Sequence, residues 1–201
     1  MAIGTYAQLK SAIASWAHRS DITDSVAADF VTLAEAEFNR VLRCVQQETR
    51  DTLSVTSRYT ALPTDFLELR RIEYDGSPVY PLNSLTPFQQ TSYRQNQPTG
   101  DPVYYSIVGT DIEIVPTQTS ATLDILYYAK IPALSDSNTT NWLLTAWPDL
   151  YLSECLRQCA IWTKDDGSIN RYGQRVMEAV QTIRQLDIAK RFAGPMVIRA
   201  A

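Results

Sequence analysis

Apolar side chains recur at spacings of three and four through the first third of the chain. They alternate with polar ones through the middle, and the helical spacing returns in the last third. Tyr6, Leu9, Ile13 and Trp16 mark the first apolar face. The Thr5-x-x-Gln8 pattern ahead of it predicts a capping box, in which each side chain satisfies a backbone N–H that the first turn leaves free. His18-Arg19-Ser20-Asp21 is a polar break, and a longer helix begins near Asp21 or Thr23, either of which caps it. Val26, Phe30, Leu33, Phe38, Val41 and Val45 keep its period, while Asp29, Thr32, Asn39, Arg43 and Gln46 fall on the other side. Two amphipathic helices joined by a short turn predict an antiparallel pair.

From about Asp51 the period changes to two, with Leu53, Val55 and Ser57 on one parity. After a break at Pro63, FLELRRIEYDGSPVYPL reads as a hairpin turning at Asp75-Gly76-Ser77. Leu67 and Leu69 share one parity in it, and Ile72 and Tyr74 share the other. Keeping all four inward requires one extra residue, so a β-bulge is expected near Arg70-Arg71. Residues 84–100 form a Gln-, Thr- and Ser-rich excursion with a short helix from about Thr86 to Gln95. A second hairpin, VYYSIVGTDIEIVP, turns at Gly109-Thr110, and a further strand, ATLDILYYAKIP, ends at Pro132. Local connections of this kind make a mainly antiparallel sheet.

Pro148 and Asp149 suit the first turn of a helix that runs to Lys164-Asp165-Asp166-Gly167, where the glycine supplies a left-handed stop. A last helix covers about Ser168 to Phe192, with Ile169, Tyr172, Val176, Val180, Ile183 and Leu186 on one face, and Gly194-Pro195 ends it. The chain is thus read as α+β: an N-terminal helix pair, a central mainly antiparallel β region with hairpins, and a C-terminal helix pair.

Composition narrows the function. The 201 residues carry Lys+Arg 18 against Asp+Glu 22, a net charge of −4, with no basic run of the kind that holds duplex phosphates. No stretch approaches the roughly 20 apolar residues of a membrane span, and the N-terminus lacks a secretory pattern, so a soluble protein kept in a cytosol is expected. Cys44, Cys155 and Cys159 read as reduced, buried thiols. Cys155 and Cys159 share a helix face but lack the further ligands that a closed zinc site takes; only Cys44 and His18 remain to complete it. His18, the one histidine, sits at a helix end and has no nucleophile or acid at motif spacing. Asp136, Asn138 and Thr140 echo a calcium loop but fail at Asn141 and Trp147. Asp111 with Glu113 and Asp165 with Asp166 are neighbours on a solvated face, and no nucleotide-binding or hydrolase motif occurs. An enzyme is not expected, and neither a cofactor nor a metal is implied. Surface for protein contact is better supplied: eleven tyrosines, including the doublets Tyr104-Tyr105 and Tyr127-Tyr128, and an apolar end at Met196-Val197-Ile198.

The stretch LPTDFLELRRIEYDGSPVYPLNSLTPFQQ and the later run from YYSIVGTDIEIVP through PALSDSNTTNWLLTAWPDLYL resemble the head-to-tail adaptor proteins of tailed bacteriophages. The similarity covers roughly residues 3–190 and is strongest from Leu62 to Asp166. Gln118 stands where proline is expected, and Cys155 and Cys159 where small residues are more usual. The resemblance implies one adaptor domain over 1–192, with a β-rich insertion at about 52–132 and an extended tail at 193–201. It implies a structural neck protein of the virion, assembled in the host cytoplasm: a ring, usually of about twelve copies, beneath the portal and around the DNA channel. Its partners would be further copies of the chain, the portal, and a tail or nozzle protein, with DNA passing through without sequence-specific binding and no membrane involved. Carried onto this chain, portal contact falls to Phe192, Pro195, Met196, Val197, Ile198 and Arg199. Tail-side or neighbour contact falls to Phe88, Tyr93, Arg94 and Trp142, within the 84–100 excursion and the 133–146 loop. The rivals are a DNA-binding or packaging accessory protein, argued against by the missing basic patch, and a hydrolytic virion enzyme working through His18.

Overall fold

Helix α1 (Tyr6–Ala17) begins where the sequence places it, with Thr5 Oγ1 accepting the Gln8 N–H at 3.4 Å. The return half of the expected capping box is displaced by one residue: Gln8 Oε1 accepts the Gly4 N–H, at 2.9 Å. This computed structural model describes residues 3–117 and 120–191. The chain forms two compact units, a helical one of the residues up to Gln46 and from Ile131 on, and a β-rich one of Gln47–Lys130.

In the helical unit α2 (Asp24–Val41) follows, capped by Thr23. Its buried stripe is Ala27, Phe30, Val31, Ala34 and Phe38, whereas Leu33 is 49% exposed. Small alanines carry this stripe, which a pattern of large apolar side chains passes over. The helix stops at Val41, so Val45 opens a 3₁₀ turn (Val45–Gln47) and does not extend the face. Trp16, expected on the inner face of α1, is 53% exposed in that helix's last turn.

A five-residue helix not foreseen from the sequence, α4 (Trp142–Ala146), precedes α5 (Pro148–Thr163) and α6 (Asp166–Arg191). The left-handed stop of α5 is Lys164 (φ 59°), and Gly167 lies inside α6. Asp165 explains the difference: its Oδ1 accepts the Ser168 N–H at 3.2 Å and starts the next helix at once, so the reversal has to come immediately before it. Along α6, Val180 and Ile183 are buried while Leu186 is exposed. Asp187 is buried instead, accepting the Val45 N–H at 2.6 Å and Arg191 Nε at 2.7 Å. Helix α5 packs against α1, α2, α4 and α6 and carries the centre of this core with Leu150, Tyr151, Cys155 and Leu156.

The β-rich unit holds two four-stranded sheets where the sequence suggested one. The first contains β1 (Glu48–Val55), β3 (Phe66–Tyr74), β4 (Tyr80–Pro81) and β8 (Ala121–Ala129), all antiparallel, in the order β1-β8-β3-β4. The second contains β2 (Tyr59–Ala61), β5 (Asn83–Ser84), β6 (Tyr104–Val108) and β7 (Asp111–Val115), in the order β2-β7-β6-β5 with β5 and β6 parallel. Helix α3 (Pro87–Asn96) lies between β5 and β6 in sequence and has a complete capping box from Thr86 and Gln89. The expected bulge is present: Leu69 pairs with Tyr127 and Arg71 with Leu126, leaving Arg70 as the extra residue. A second irregularity lies between Phe66 and Glu68, and it puts Phe66, not Leu67, against the core with Leu69 and Tyr74. Gly76 stands so close to the Tyr74 ring that no Cβ fits, and Gly109 turns the second hairpin at φ +65°.

Candidate interaction surfaces

In the helical unit the loop from Ile131 to Asn141 is held by hydrogen bonds from buried and half-buried side chains. Asn39 Oδ1 accepts the Ile131 N–H at 2.8 Å, and Glu35 Oε1 accepts the Leu134 N–H at 2.8 Å. Asn141 caps α4 by accepting the Leu144 N–H at 2.8 Å, and its Nδ2 donates to Pro132 O at 2.8 Å and to Tyr151 Oη at 2.7 Å. The Tyr151 hydroxyl in turn donates to Glu35 Oε1 at 3.2 Å. Between these points Thr139 O accepts the Tyr6 N–H at 2.7 Å, and Lys10 Nζ sits 2.7 Å from Asp24 and 3.7 Å from Asp136. This loop therefore presents a fixed shape, with Asp136 at its exposed tip. Trp142, at the loop's end, is half-buried against the helical core.

Burial holds the Glu35 carboxyl above its ordinary range, partly offset by the two hydrogen bonds it accepts. A raised carboxyl pKa favours the folded state most at low pH, and that advantage is lost as pH rises through the folded value. Glu35→Gln keeps an acceptor for Leu134 and Tyr151 without a charge to bury. Urea unfolding of the two proteins should show the variant gaining on the parent at neutral pH, and the gap closing as pH falls toward the unfolded carboxylate range. A gap that widens on acidification contradicts this assignment.

In the β-rich unit α3 is fastened to its sheet by three side chains. Gln90, fully buried, donates to Glu113 O at 3.2 Å and accepts from Ser106 Oγ at 2.7 Å. Arg94 Nη1 and Arg58 Nε both reach Glu113 Oε1, at 2.7 and 2.6 Å. Tyr93 meets Tyr104 hydroxyl to hydroxyl at 2.9 Å, with ring centroids 4.5 Å apart. Phe88 is 83% exposed at the start of the same helix. The structure thus gathers Phe88, Tyr93 and Arg94 on one helix, with Arg94 and Tyr93 engaged on the sheet and Phe88 open to solvent. Sequence reasoning missed Glu113 as a buried anchor: it shares a strand parity with the half-buried Asp111, and only the fold shows two guanidinium groups converging on it. Tyr127 and Tyr128 are both buried, Tyr127 donating to Asp65 at 3.0 Å and Tyr128 accepting from Arg70 at 3.1 Å. The proposed portal-contact residues, from Phe192 to Arg199, lie outside the described residues.

Of the positions weighed for chemistry, His18, Cys159 and Asp165 line one pocket, with Arg19 beside them. His18 is the left-handed cap of α1 (φ 50°). Cys44, Cys155 and Cys159 are buried and form no disulfide, and burial raises the thiols of Cys155 and Cys159. Glu154, fully buried, is taken up by Arg157 (2.7 and 2.8 Å) and Gln158 (2.6 Å). Among the described residues no group of His, Cys, Asp and Glu is arranged to hold a metal, and no helix is long and apolar enough to cross a membrane.

What the molecule offers is a set of shaped surfaces, a pinned acidic loop on one unit and an anchored helix with a bare phenylalanine on the other, as a structural protein does. The SU10 adaptor protein family matches residues 4–199, and the chain belongs to that family of phage head–tail adaptors, a structural class and not an enzyme family. No curated protein matches it.

Proposed function

We propose that this protein forms a ring, of about twelve copies, beneath the portal of a tailed phage, joining capsid to tail around the DNA channel. The family match over nearly the whole chain carries this reading, and the surfaces described above supply its contacts. The segment from Phe192 to Arg199, with Met196, Val197 and Ile198 as its apolar centre, meets the portal. Phe88 on α3 and the 133–146 loop with Trp142 face the tail protein or the neighbouring copy. A large apolar side chain left 83% exposed is suited to fill a pocket on a partner. The protein is then a virion component assembled in the host cell.

DNA passes through this ring without being gripped. Net charge is −4, and arginines such as Arg58, Arg94 and Arg157 are taken up by the chain's own carboxylates. Carboxylates lining the inner wall would repel the duplex. An inner wall rich in Lys and Arg contradicts that part of the proposal.

Mass photometry of the purified chain mixed with its portal tests the whole. A complex heavier than the portal by a full ring of copies is expected. A portal whose mass does not change overturns the proposal.

A further inference from the structure

The two edges of the sheet formed by β1, β8, β3 and β4 differ in kind. On one side β3 is irregular at Leu67 and Arg70, and β4 covers only Glu73 and Tyr74 with a strand that contains Pro81. Bulges, short strands and proline are the devices by which an edge refuses further pairing. On the other side β1 runs from Glu48 to Val55 in unbroken register with β8, without bulge or proline.

The free groups on that edge can be assigned. The Asp75 N–H bonds Thr122 O at 2.9 Å and the Lys130 N–H bonds Asp65 O at 2.6 Å, so the even-numbered residues of β8 point toward β3. Its odd-numbered residues point toward β1, where they face Thr49, Asp51, Leu53 and Val55. Arg50, Thr52 and Ser54 therefore turn their N–H and C=O groups outward, and all three are exposed. The Thr52 N–H, lacking a strand to bond, takes Asp51 Oδ1 at 2.8 Å.

We propose that β1 is a docking edge that receives an extended segment of another virion protein as an added strand, with an acidic side chain beside Arg50. This rests on the structural role proposed above. Backbone pairing supplies the attachment, and the alternate side chains supply the choice of partner. On the outer face Arg50 and Arg71 flank Leu126, and Arg50 has no carboxylate partner among the described residues. On the inner face the added strand lies beside Leu53 and Val55, which already belong to the core, so it alternates apolar with polar residues to continue that face.

A second copy meets conflicts in the registers centred on the charged half of the strand. Two β1 strands paired about Asp51 set aspartate against aspartate, and paired about Arg50 they set arginine against arginine. Paired about Thr52, they place Asp51 against Leu53 on the core-facing side. Like charges directly opposite each other destabilise a pair of strands.

Amide hydrogen exchange of the full chain, free and in assembled particles, tests the proposal. The amides of Arg50, Thr52 and Ser54 are expected to exchange fast in the free chain and to slow by about tenfold or more in the particle. Thr49, Asp51 and Leu53 should be protected in both. Ser54→Pro removes an outward N–H without breaking the ladder, and Arg50→Glu reverses the selecting charge; either is expected to cut incorporation into particles to about a tenth while the free chain melts as before. Outward amides that stay fast in the particle overturn the proposal, as does normal incorporation of Arg50→Glu. Protection that appears in the isolated chain as its concentration rises overturns it in favour of a second copy. Particles that lack the protein altogether overturn the neck assignment itself, a different result from particles that contain it with fast outward amides.

Discussion

Asn141→Ala is expected to cost about 3 kcal/mol of folding stability, the sum of a lost helix cap and two lost side-chain hydrogen bonds. The residue is 7% exposed and serves three groups at once: it accepts from Leu144 N–H and donates to Pro132 O and Tyr151 Oη. Alanine removes the acceptor that starts α4 and takes the Nδ2 donor away from the Pro132 carbonyl. The Tyr151 hydroxyl keeps its bond to Glu35 but loses the one it receives. For a chain of this size the midpoint of thermal unfolding should fall by roughly 6–12 °C. Asn138→Ala, a few residues earlier, is the control. Asn138 Nδ2 donates to Ala133 O at 2.7 Å from an exposed position, where water replaces it, so the expected loss is about 0.5 kcal/mol. Equal losses in the two variants would mean that the loop is held by something other than this buried network.

The second large effect concerns the end of the chain. Deleting residues 192–201 is expected to weaken binding to the portal at least ~100-fold, because a few apolar anchors commonly carry most of an interface's free energy. The melting temperature of the free chain should move by no more than about 1 °C, as expected of a terminal segment that serves a partner. Ile198→Asp alone should reproduce most of the loss. Surface plasmon resonance on immobilised portal reads both variants. Full affinity in the truncated chain would move the portal contact elsewhere on the molecule.

Much of the architecture was legible in the sequence, because helix period, strand period and turn chemistry are local. The caps at Thr5, Thr23 and Thr86, the turn at Gly109 and the bulge at Arg70 all follow from patterns a few residues long. The bulge is the most informative of these, since a parity conflict between Leu69 and Ile72 admits few other solutions. What the sequence hid depends on distant partners. Which sheet a strand joins is set by pairing across the fold, so the second hairpin's separate sheet left no local mark. Helix α4 spans five residues, too few to show a period. Lys164 replaces Gly167 as the stop because Asp165 starts the next helix immediately.

The candidate surfaces were legible in a similarly uneven way. Phe88 could be singled out as an apolar residue in a polar stretch, and it is bare in the structure. The sequence marks Arg94 as a contact candidate and Glu113 as a surface charge, because periodicity reports polarity and not whether a carboxylate is covered by a helix bringing its own guanidinium. The same blindness concealed Glu35 and Asn141. Polar residues leave no mark of burial in a pattern of apolar positions, yet both are buried and hold the loop between them.

Electron cryomicroscopy of phage particles assembled with and without this protein bears most directly on its role. With it, density for a closed ring of this chain should lie between portal and tail. Without it, filled heads should accumulate with no tail attached. Tails joined normally to portals in particles that lack the protein would contradict the account.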